Sequence, residues 1–176
     1  MRQHGGLVLP NMTLFDPTAR SIAEGVVGPV VSGRFNHLGI AVADIAAALP
    51  FYAAAFGFVA LTDVFHDEIQ QVRVVFIGPP QDFSDRNARA FVLELIEPAA
   101  DGSHLHRMLK AGSSAYHACF AVADIVAGLH DLCFKGCLKV RGPDPAVAFH
   151  GHPIAWVYTP TRHLVELVQL PQPVSK

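Results

Sequence analysis

The stretch Asn36-His37-Leu38-Gly39-Ile40-Ala41-Val42-Ala43-Asp44-Ile45 returns, 80 residues later, as Tyr116-His117-Ala118-Cys119-Phe120-Ala121-Val122-Ala123-Asp124-Ile125. Ala-Val-Ala-Asp-Ile recurs letter for letter. A repeat constrains a fold more than any local propensity, because each copy must make the same supersecondary unit. The likeness extends past the first strand. Val74-Val75-Phe76-Ile77 matches Ile154-Ala155-Trp156-Val157 at the same offset, and Val92-Leu93-Glu94-Leu95-Ile96 matches Leu164-Val165-Glu166-Leu167-Val168 at an offset of 72. One module is therefore used twice, with a His opening and a Glu closing each copy.

Hydrophobic alternation and turn residues give each copy the order βαβββ. In the first, a strand over 36–42 leads to Asp44 as N-cap and a helix over 45–56, with apolar residues at 45, 48, 49, 52 and 56 and a stop at Gly57. Pro50 should kink this helix or start a new turn. Strands over 58–65, 71–77 and 90–96 follow, with a polar loop over 78–89. A short helix near His104 to Leu109 links the copies. The second copy runs as strand 116–122, Asp124 as cap, helix 125–135, Gly136 as stop, and strands 137–141, 153–158 and 163–169. A small sheet with one helix covers only one of its faces. Two such modules side by side enclose a cup with the uncovered faces inside. The expected fold is α+β: two tandem βαβββ modules forming a cupped, mostly antiparallel mixed sheet with helices outside. Its expected divisions are an N-terminal arm over 1–34 and one domain over 35–176, made of module one (35–98), a linker helix segment (99–114), module two (115–170) and a tail (171–176). Asp16 to Glu24 could form one capped helix within the arm.

Strand parity places His37 with Gly39 and Ala41, His117 with Cys119 and Ala121, Glu94 with Val92 and Ile96, and Glu166 with Leu164 and Val168. The opposite face of each strand reads as wholly apolar, fit for a helix. A carboxylate in mid-strand among aliphatic residues is costly unless paired or metal-bound. Two imidazoles and two carboxylates repeating in phase make a donor set suited to a divalent first-row ion. Exposed strands and buried, satisfied histidines would also accommodate them singly. Asp44 and Asp124 repeat too, and helix capping explains both. His104, His106, His150, His152 and His66 fall in loops or short helices and read as solvated. Arg73, Arg141 and Arg162 are cations that an anionic substrate could meet, although surface arginines are the commoner case.

The motifs around these residues, Asn36-His37-Leu38-Gly39-Ile40-Ala41-Val42, Phe51-Tyr52, Phe56-Gly57-Phe58, Leu93-Glu94-Leu95-Ile96-Glu97-Pro98, Gly151-His152-Pro153-Ile154 and Leu164-Val165-Glu166-Leu167, resemble the vicinal oxygen chelate superfamily. That group includes glyoxalase I, methylmalonyl-CoA epimerase, extradiol dioxygenases and the bleomycin and fosfomycin resistance proteins. The likeness covers residues 35 to 170 and is nearest to the epimerase group, although Tyr116-His117 stands where those enzymes usually have a His-His pair. The resemblance implies metal ligation by His37, Glu94, His117 and Glu166, the four residues the repeat already singles out.

A divalent ion, whether Co, Ni, Zn, Mn or Mg, is thus the expected cofactor. Glu166 and Glu94 are the expected catalytic residues, moving a proton at the carbon beside a carbonyl. The substrate expected is a small thioester or 2-oxo compound. Two other readings use the same cup: a glyoxalase I-type lyase acting on a glutathione hemithioacetal, and a resistance-type binding protein without chemistry. The expected setting is cytoplasmic, with the chain paired as a homodimer. A formal charge of −2 offers no basic field for nucleic acid, and every apolar run is broken well short of the roughly 20 residues of a membrane span. Three cysteines, Cys119, Cys133 and Cys137, read as reduced thiols.

Overall fold

The computed structural model describes residues 34–80 and 91–171. The arm with its expected helix, the tail beyond residue 171 and most of the polar loop lie outside the described residues. Module one comprises β1 (Arg34–Ala41), α1 (Ile45–Phe56), β2 (Val59–Ala60), β3 (Phe65–Asp67), β4 (Val72–Gly78) and β5 (Leu93–Pro98). The linking helix is α2 (Leu105–Lys110). Module two comprises β6 (Ala115–Val122), α3 (Ile125–Phe134), β7 (Leu138–Pro145), a 3-10 turn (Val147–Phe149), β8 (Pro153–Tyr158) and β9 (Leu164–Gln169).

All strands join one open sheet in the order β2-β4-β5-β1-β6-β9-β8-β7, with β3 also on β4. β1 pairs parallel with β5, β6 pairs parallel with β9, and the remaining pairings are antiparallel. The α+β fold of mixed strands with outer helices is therefore present. β1 and β6 meet at the centre and join the modules.

That central seam carries two bulges. The register passes from Phe35↔Phe120 to His37↔Cys119 and from Gly39↔His117 to Ile40↔Ala115, so Asn36 and Tyr116 are each an extra residue. They occupy equivalent places in the repeat, immediately before the two histidines. A bulge bends its strand and re-aims the next side chain. Both histidines are thereby turned into the cup.

Four apolar clusters fill the two sides of the sheet. Ile45, Val75, Ile77, Leu93 and Leu95 pack beneath α1, and Val122, Ile125, Leu129, Val157, Val165 and Leu167 beneath α3. On the cup side lie Val72, Val74, Ile96 and Leu105 in one module and Cys119, Ile154, Trp156 and Val168 in the other. Both helices begin as expected: Asp44 accepts from Ala47 N, and Asp124 accepts from Val126 N and Ala127 N. α1 runs through Pro50 as one assigned helix and ends on Gly57 in the left-handed region, at φ 67°.

Some local features differ from the sequence reading. The strand expected over 58–65 is two short pieces, because Thr62 Oγ1 accepts from Phe76 N where a ladder carbonyl would otherwise stand. The strand expected to end at 141 continues to Pro145, with register shifts along its pairing to β8. Phe56, expected on the inner face of α1, is exposed and packs in a surface aromatic group with Phe51, Tyr52 and Phe58. Nor is the helix-facing side of β5 wholly apolar. Glu97 is buried there, accepting from Ile45 N at 2.5 Å and pairing with Arg73 at 2.6 Å.

Candidate active site

At the floor of the cup, β1, β5, β6 and β9 bring His37, Glu94, His117 and Glu166 together, all buried, with one donor atom from each lying within 4.8 Å of the others. The four residues singled out by the repeat therefore converge on one point. His37 Nε2 and His117 Nε2 are 2.9 Å apart. Glu94 Oε2 lies 3.3 Å and 3.5 Å from these two nitrogens, and Glu166 Oε2 lies 3.4 Å and 3.3 Å from them.

Donor atoms about 2.1 Å from a shared cation stand about 3.0 Å apart in an octahedron and about 3.4 Å apart in a tetrahedron. The observed separations span those edges. With two imidazoles and two carboxylates, the set can hold a divalent metal ion.

Without a cation the carboxylates act on the imidazoles instead. Burial opposes charge on His37, but Glu94 and Glu166 outweigh it and raise its pKa to about 9. Burial also disfavours the Glu166 carboxylate, yet hydrogen bonds from His117 and His37 hold it well below the usual carboxylate range. Burial, reinforced by Glu166, pushes the neighbouring Cys119 thiol up, so it stays protonated.

Each imidazole leans edge-on against an aromatic ring from its own module, His37 on Phe76 at 5.2 Å and His117 on Trp156 at 4.8 Å. Phe149 from the 3-10 turn then stacks on His37 at 6.0 Å and packs on Phe76, covering that side. The His117 side opens instead into a small cavity of about 20 Å³, walled by Val72, Val74, Ile96 and Trp156 and touched by Gln70, Tyr116, Glu94 and Glu166. Gln70, Tyr116 and Trp156 also line a larger cavity of about 310 Å³ leading outward.

Among the other residues considered from sequence, His150, His152 and His66 are exposed, as expected for solvated side chains. His106 bonds the Ala100 carbonyl, and Arg141 pairs with Asp144 at 2.8 Å. His104 departs from expectation: its Nε2 shares a 2.6 Å hydrogen bond with Tyr116 Oη, and it lines the outer cavity. Gln70, Tyr116 and Trp156 escaped the sequence reading. For Tyr116 and Trp156 a signal existed, since they stand at the repeat positions of Asn36 and Phe76. For Gln70, in a turn, there was none.

The described residues contain no helix long and apolar enough to cross a membrane, and Cys119, Cys133 and Cys137 are free thiols.

The profile of the Glyoxalase/Bleomycin resistance protein/Dioxygenase superfamily matches residues 36–156. The chain is 31% identical over 143 residues to an ethylmalonyl-CoA/methylmalonyl-CoA epimerase of Cereibacter sphaeroides, covering 78% of this chain and 98% of that protein. It is 25% identical to the mitochondrial methylmalonyl-CoA epimerase of Dictyostelium discoideum, covering 81% of each. Among solved structures, a variant of the Streptomyces coelicolor methylmalonyl-CoA epimerase in complex with 2-nitronate-propionyl-CoA superposes with a TM-score of 0.64 at 28% identity, over 79% of this chain and 98% of that one. The duplicated module, the seam of β1 and β6 and these matches agree, and the chain belongs to the glyoxalase/bleomycin resistance protein/dioxygenase superfamily, on its methylmalonyl-CoA epimerase side.

Proposed function

We propose that the protein is a metal-dependent enzyme of the epimerase type, transferring a proton at the carbon beside a carbonyl in a small acyl thioester. The observation that carries this reading is the convergence of His37, Glu94, His117 and Glu166, three of which, Glu94, His117 and Glu166, line a small cavity with Val72, Val74, Ile96 and Trp156. The epimerase relatives point the same way, since they are named for methylmalonyl-CoA and ethylmalonyl-CoA.

His37, Glu94, His117 and Glu166 would hold one divalent ion, which when bound supplies a Lewis acid for the carbonyl oxygen. In the metal-free cluster, hydrogen bonds from the two imidazoles already hold the Glu166 carboxyl well below the usual range, and the ionised carboxylate is the form that can accept a proton. Glu94, across the cluster, is the second proton carrier. Val72, Val74, Ile96 and Trp156 exclude water from the reacting carbon, and Gln70 and Tyr116 offer polar groups where the substrate enters. The free thiols are compatible with a reducing cytoplasm, and a homodimer remains part of this reading.

One observation favours a second reading. Glu94 and Glu166 reach the cavity from a single cluster, and the other side chains that line it include Val72 and Val74, which carry no proton. Both proton carriers on one side suit transfer between adjacent carbons, the task of a glyoxalase I-type lyase on a glutathione hemithioacetal. Heavy water separates the readings. With methylmalonyl-CoA, the metal-loaded enzyme should place deuterium at the carbon between its carbonyls, and Glu166→Gln should slow this at least about a hundredfold. Conversion of the hemithioacetal of methylglyoxal and glutathione, without exchange into methylmalonyl-CoA, would establish the lyase. No reaction with either compound or with small 2-oxo acids would leave a binding protein, and a Gln variant as fast as wild type would remove Glu166 from proton transfer.

A further inference from the structure

The repeat lays α3 over its half of the sheet as α1 lies over the other half, yet the space beneath the two helices is filled differently. Val75, Ile77, Leu93 and Tyr52 pack under α1, and their repeat positions under α3 hold the smaller Ala155, Val157, Val165 and Leu132. Phe120 in place of Ile40 returns only part of the lost volume. Phe58, packed against the module one cluster, has as its counterpart Leu138, which is 70% exposed. What remains in module two is a groove of about 280 Å³, walled by Phe120, Leu132, Val157, Val165, Leu167 and Cys137. It lies on the helix side of the sheet, away from the four donors. Native interiors pack closely, and apolar walls without neighbours forfeit dispersion contacts.

The groove offers an occupant almost nothing polar. Among the described residues no charged side chain lines it, and the hydroxyl on its wall, that of Thr159, is already taken. Thr159 Oγ1 shares a 2.9 Å hydrogen bond with Thr161 Oγ1 and accepts from His163 N at 3.0 Å. Phe120, at one wall, also stands where the chain enters the sheet. Arg34 pairs opposite Ala121 and Phe35 opposite Phe120, and the Phe35 ring lies edge-on to Phe120 at 6.0 Å and stacks on Phe91 at 6.4 Å. Residues 1–33 precede this point, and the nearest of them read Val26-Val27-Gly28-Pro29-Val30-Val31-Ser32-Gly33, with four valines and no charge. Val31 stands three residues before Arg34 and Val26 eight, reaches of about 10 Å and about 27 Å for an extended chain. Pro29 has no N–H that an apolar wall would leave unmet.

We propose that the groove under α3 is the docking site of this chain's own segment Val26 to Val31, whose valine side chains take the volume that Tyr52 and Phe58 supply in module one. The tether favours this occupant over a second copy or a free apolar molecule. A segment joined to Arg34, whose neighbour Phe35 already touches one wall, meets the groove at an effective concentration on the order of millimolar, whatever the protein concentration. Docking removes apolar surface of both the groove and the valines from water. The inference stands apart from the proposed activity, since no residue of the His/Glu cluster takes part in it.

Cys137 reports on the groove, because its free thiol belongs to the wall. The test uses the full chain, with iodoacetamide as the probe and peptide mass spectrometry as the readout. Cys137 should be alkylated at least about tenfold more slowly in wild type than in Val26→Asp/Val27→Asp/Val30→Asp/Val31→Asp, at every protein concentration and with far-UV circular dichroism unchanged. The exposed Cys133 should react alike in both proteins. Cross-linking gives a second reading that needs no charged residue in the segment. In a Cys133→Ser background, Val27→Cys or Val30→Cys should form a disulfide with Cys137 on mild oxidation, and mixtures of isotopically light and heavy protein should show both thiols to come from one chain. Equal alkylation rates in wild type and the Asp variant would overturn the docking, as would the absence of a cross-link to Cys137 at both positions. Protection of Cys137 that grows with protein concentration and survives the Asp substitutions, or cross-links that join light to heavy chains, would overturn it too and put a second copy at the groove.

Discussion

The two modules place equivalent histidines at one cluster but support them differently. In module one, Asn36 Oδ1 stands 2.9 Å from His37 Nδ1, so an N–H there fixes the ring and leaves Nε2 free for the cluster. In module two, the equivalent bulge residue is Tyr116, which turns to His104, and His117 Nδ1 is buried with no hydrogen-bond partner among the described residues. What holds His117 is shape. Its ring lies over Gly39 so closely that a Cβ there would overlap it, and Trp156 supports it edge-on. Cys119, at the repeat position of Gly39, opposes His37 with a side chain and no such crowding. The donors obey the repeat while their surroundings do not. The 3-10 turn of module two reaches over to cover the module-one histidine with Phe149; module two gives up a polar partner for its own histidine and gains the Tyr116 and Trp156 walls of the way in.

The largest expected break in this comparison is Gly39→Ala. The added methyl must displace the His117 ring, so metal affinity should fall about a hundredfold, with about 1–3 kcal/mol of stability lost to overpacking. Cys119→Ala, at the equivalent place, should leave metal affinity within about threefold and lose packing together with the thiol's contact to Glu166. Metal titration of the two purified variants decides it, and equal losses would mean that the close approach over Gly39 has no part in holding His117.

Protonation offers the next test, in the metal-free protein. The His37 pKa is raised from 6.5 to about 9, so its stabilising charge is fully present below about pH 6.5 and is lost as pH rises through about 9. The Glu166 pKa is lowered from 4.5, so its contribution is present above about pH 4.5 and is lost as pH falls further. The cluster should therefore stabilise the metal-free fold most between about pH 4.5 and 6.5. Urea unfolding across pH should show a decline from pH 7 to 10 that His37→Ala removes; a decline unchanged by that substitution would place its origin elsewhere.

The pair of fold-bearing signals, in-phase donors and alternating strands, was legible because a repeat reports positions twice. Features that break alternation were not. The bulges at Asn36 and Tyr116 add a residue to each strand, and an apolar-polar pattern gives no sign of an insertion when small residues surround it. Glu97 was hidden by Pro98, which made β5 seem to end at Ile96, whereas the strand runs on and places the carboxylate under α1. The break between β2 and β3 depends on one hydroxyl, Thr62, whose partner lies 14 residues away.

A smaller effect should separate the two histidine supports. Asn36→Ala removes the hydrogen-bonded partner of a candidate ligand, which should weaken metal binding about tenfold. Tyr116→Phe removes only the bond to His104 and should leave metal binding within about twofold. If both variants bind metal as wild type does, Asn36 does not orient His37; if Tyr116→Phe is the weaker binder, the assignment of supports is reversed.

The smallest differences concern the helix starts, where the modules solve one problem with different chemistry. Asp44 accepts one N–H of α1 and Asp124 two of α3, so Asp44→Ala and Asp124→Ala should each cost about 0.5–2 kcal/mol, with Asp124→Ala the larger. The first helical N–H is met from below by another strand: Ile45 N by Glu97 and Ile125 N by Gln169, at equivalent positions of β5 and β9. A neutral amide oxygen thus performs in module two what a carboxylate performs in module one. Glu97→Gln should keep the bond to Ile45 N and lose only the ion pair to Arg73, a cation whose side chain is 53% exposed and hence well screened. The expected cost is below about 1 kcal/mol by urea unfolding, with metal content intact. A loss of several kcal/mol would show that the carboxylate charge under α1, and not the hydrogen bond it shares in kind with Gln169, holds the first module together.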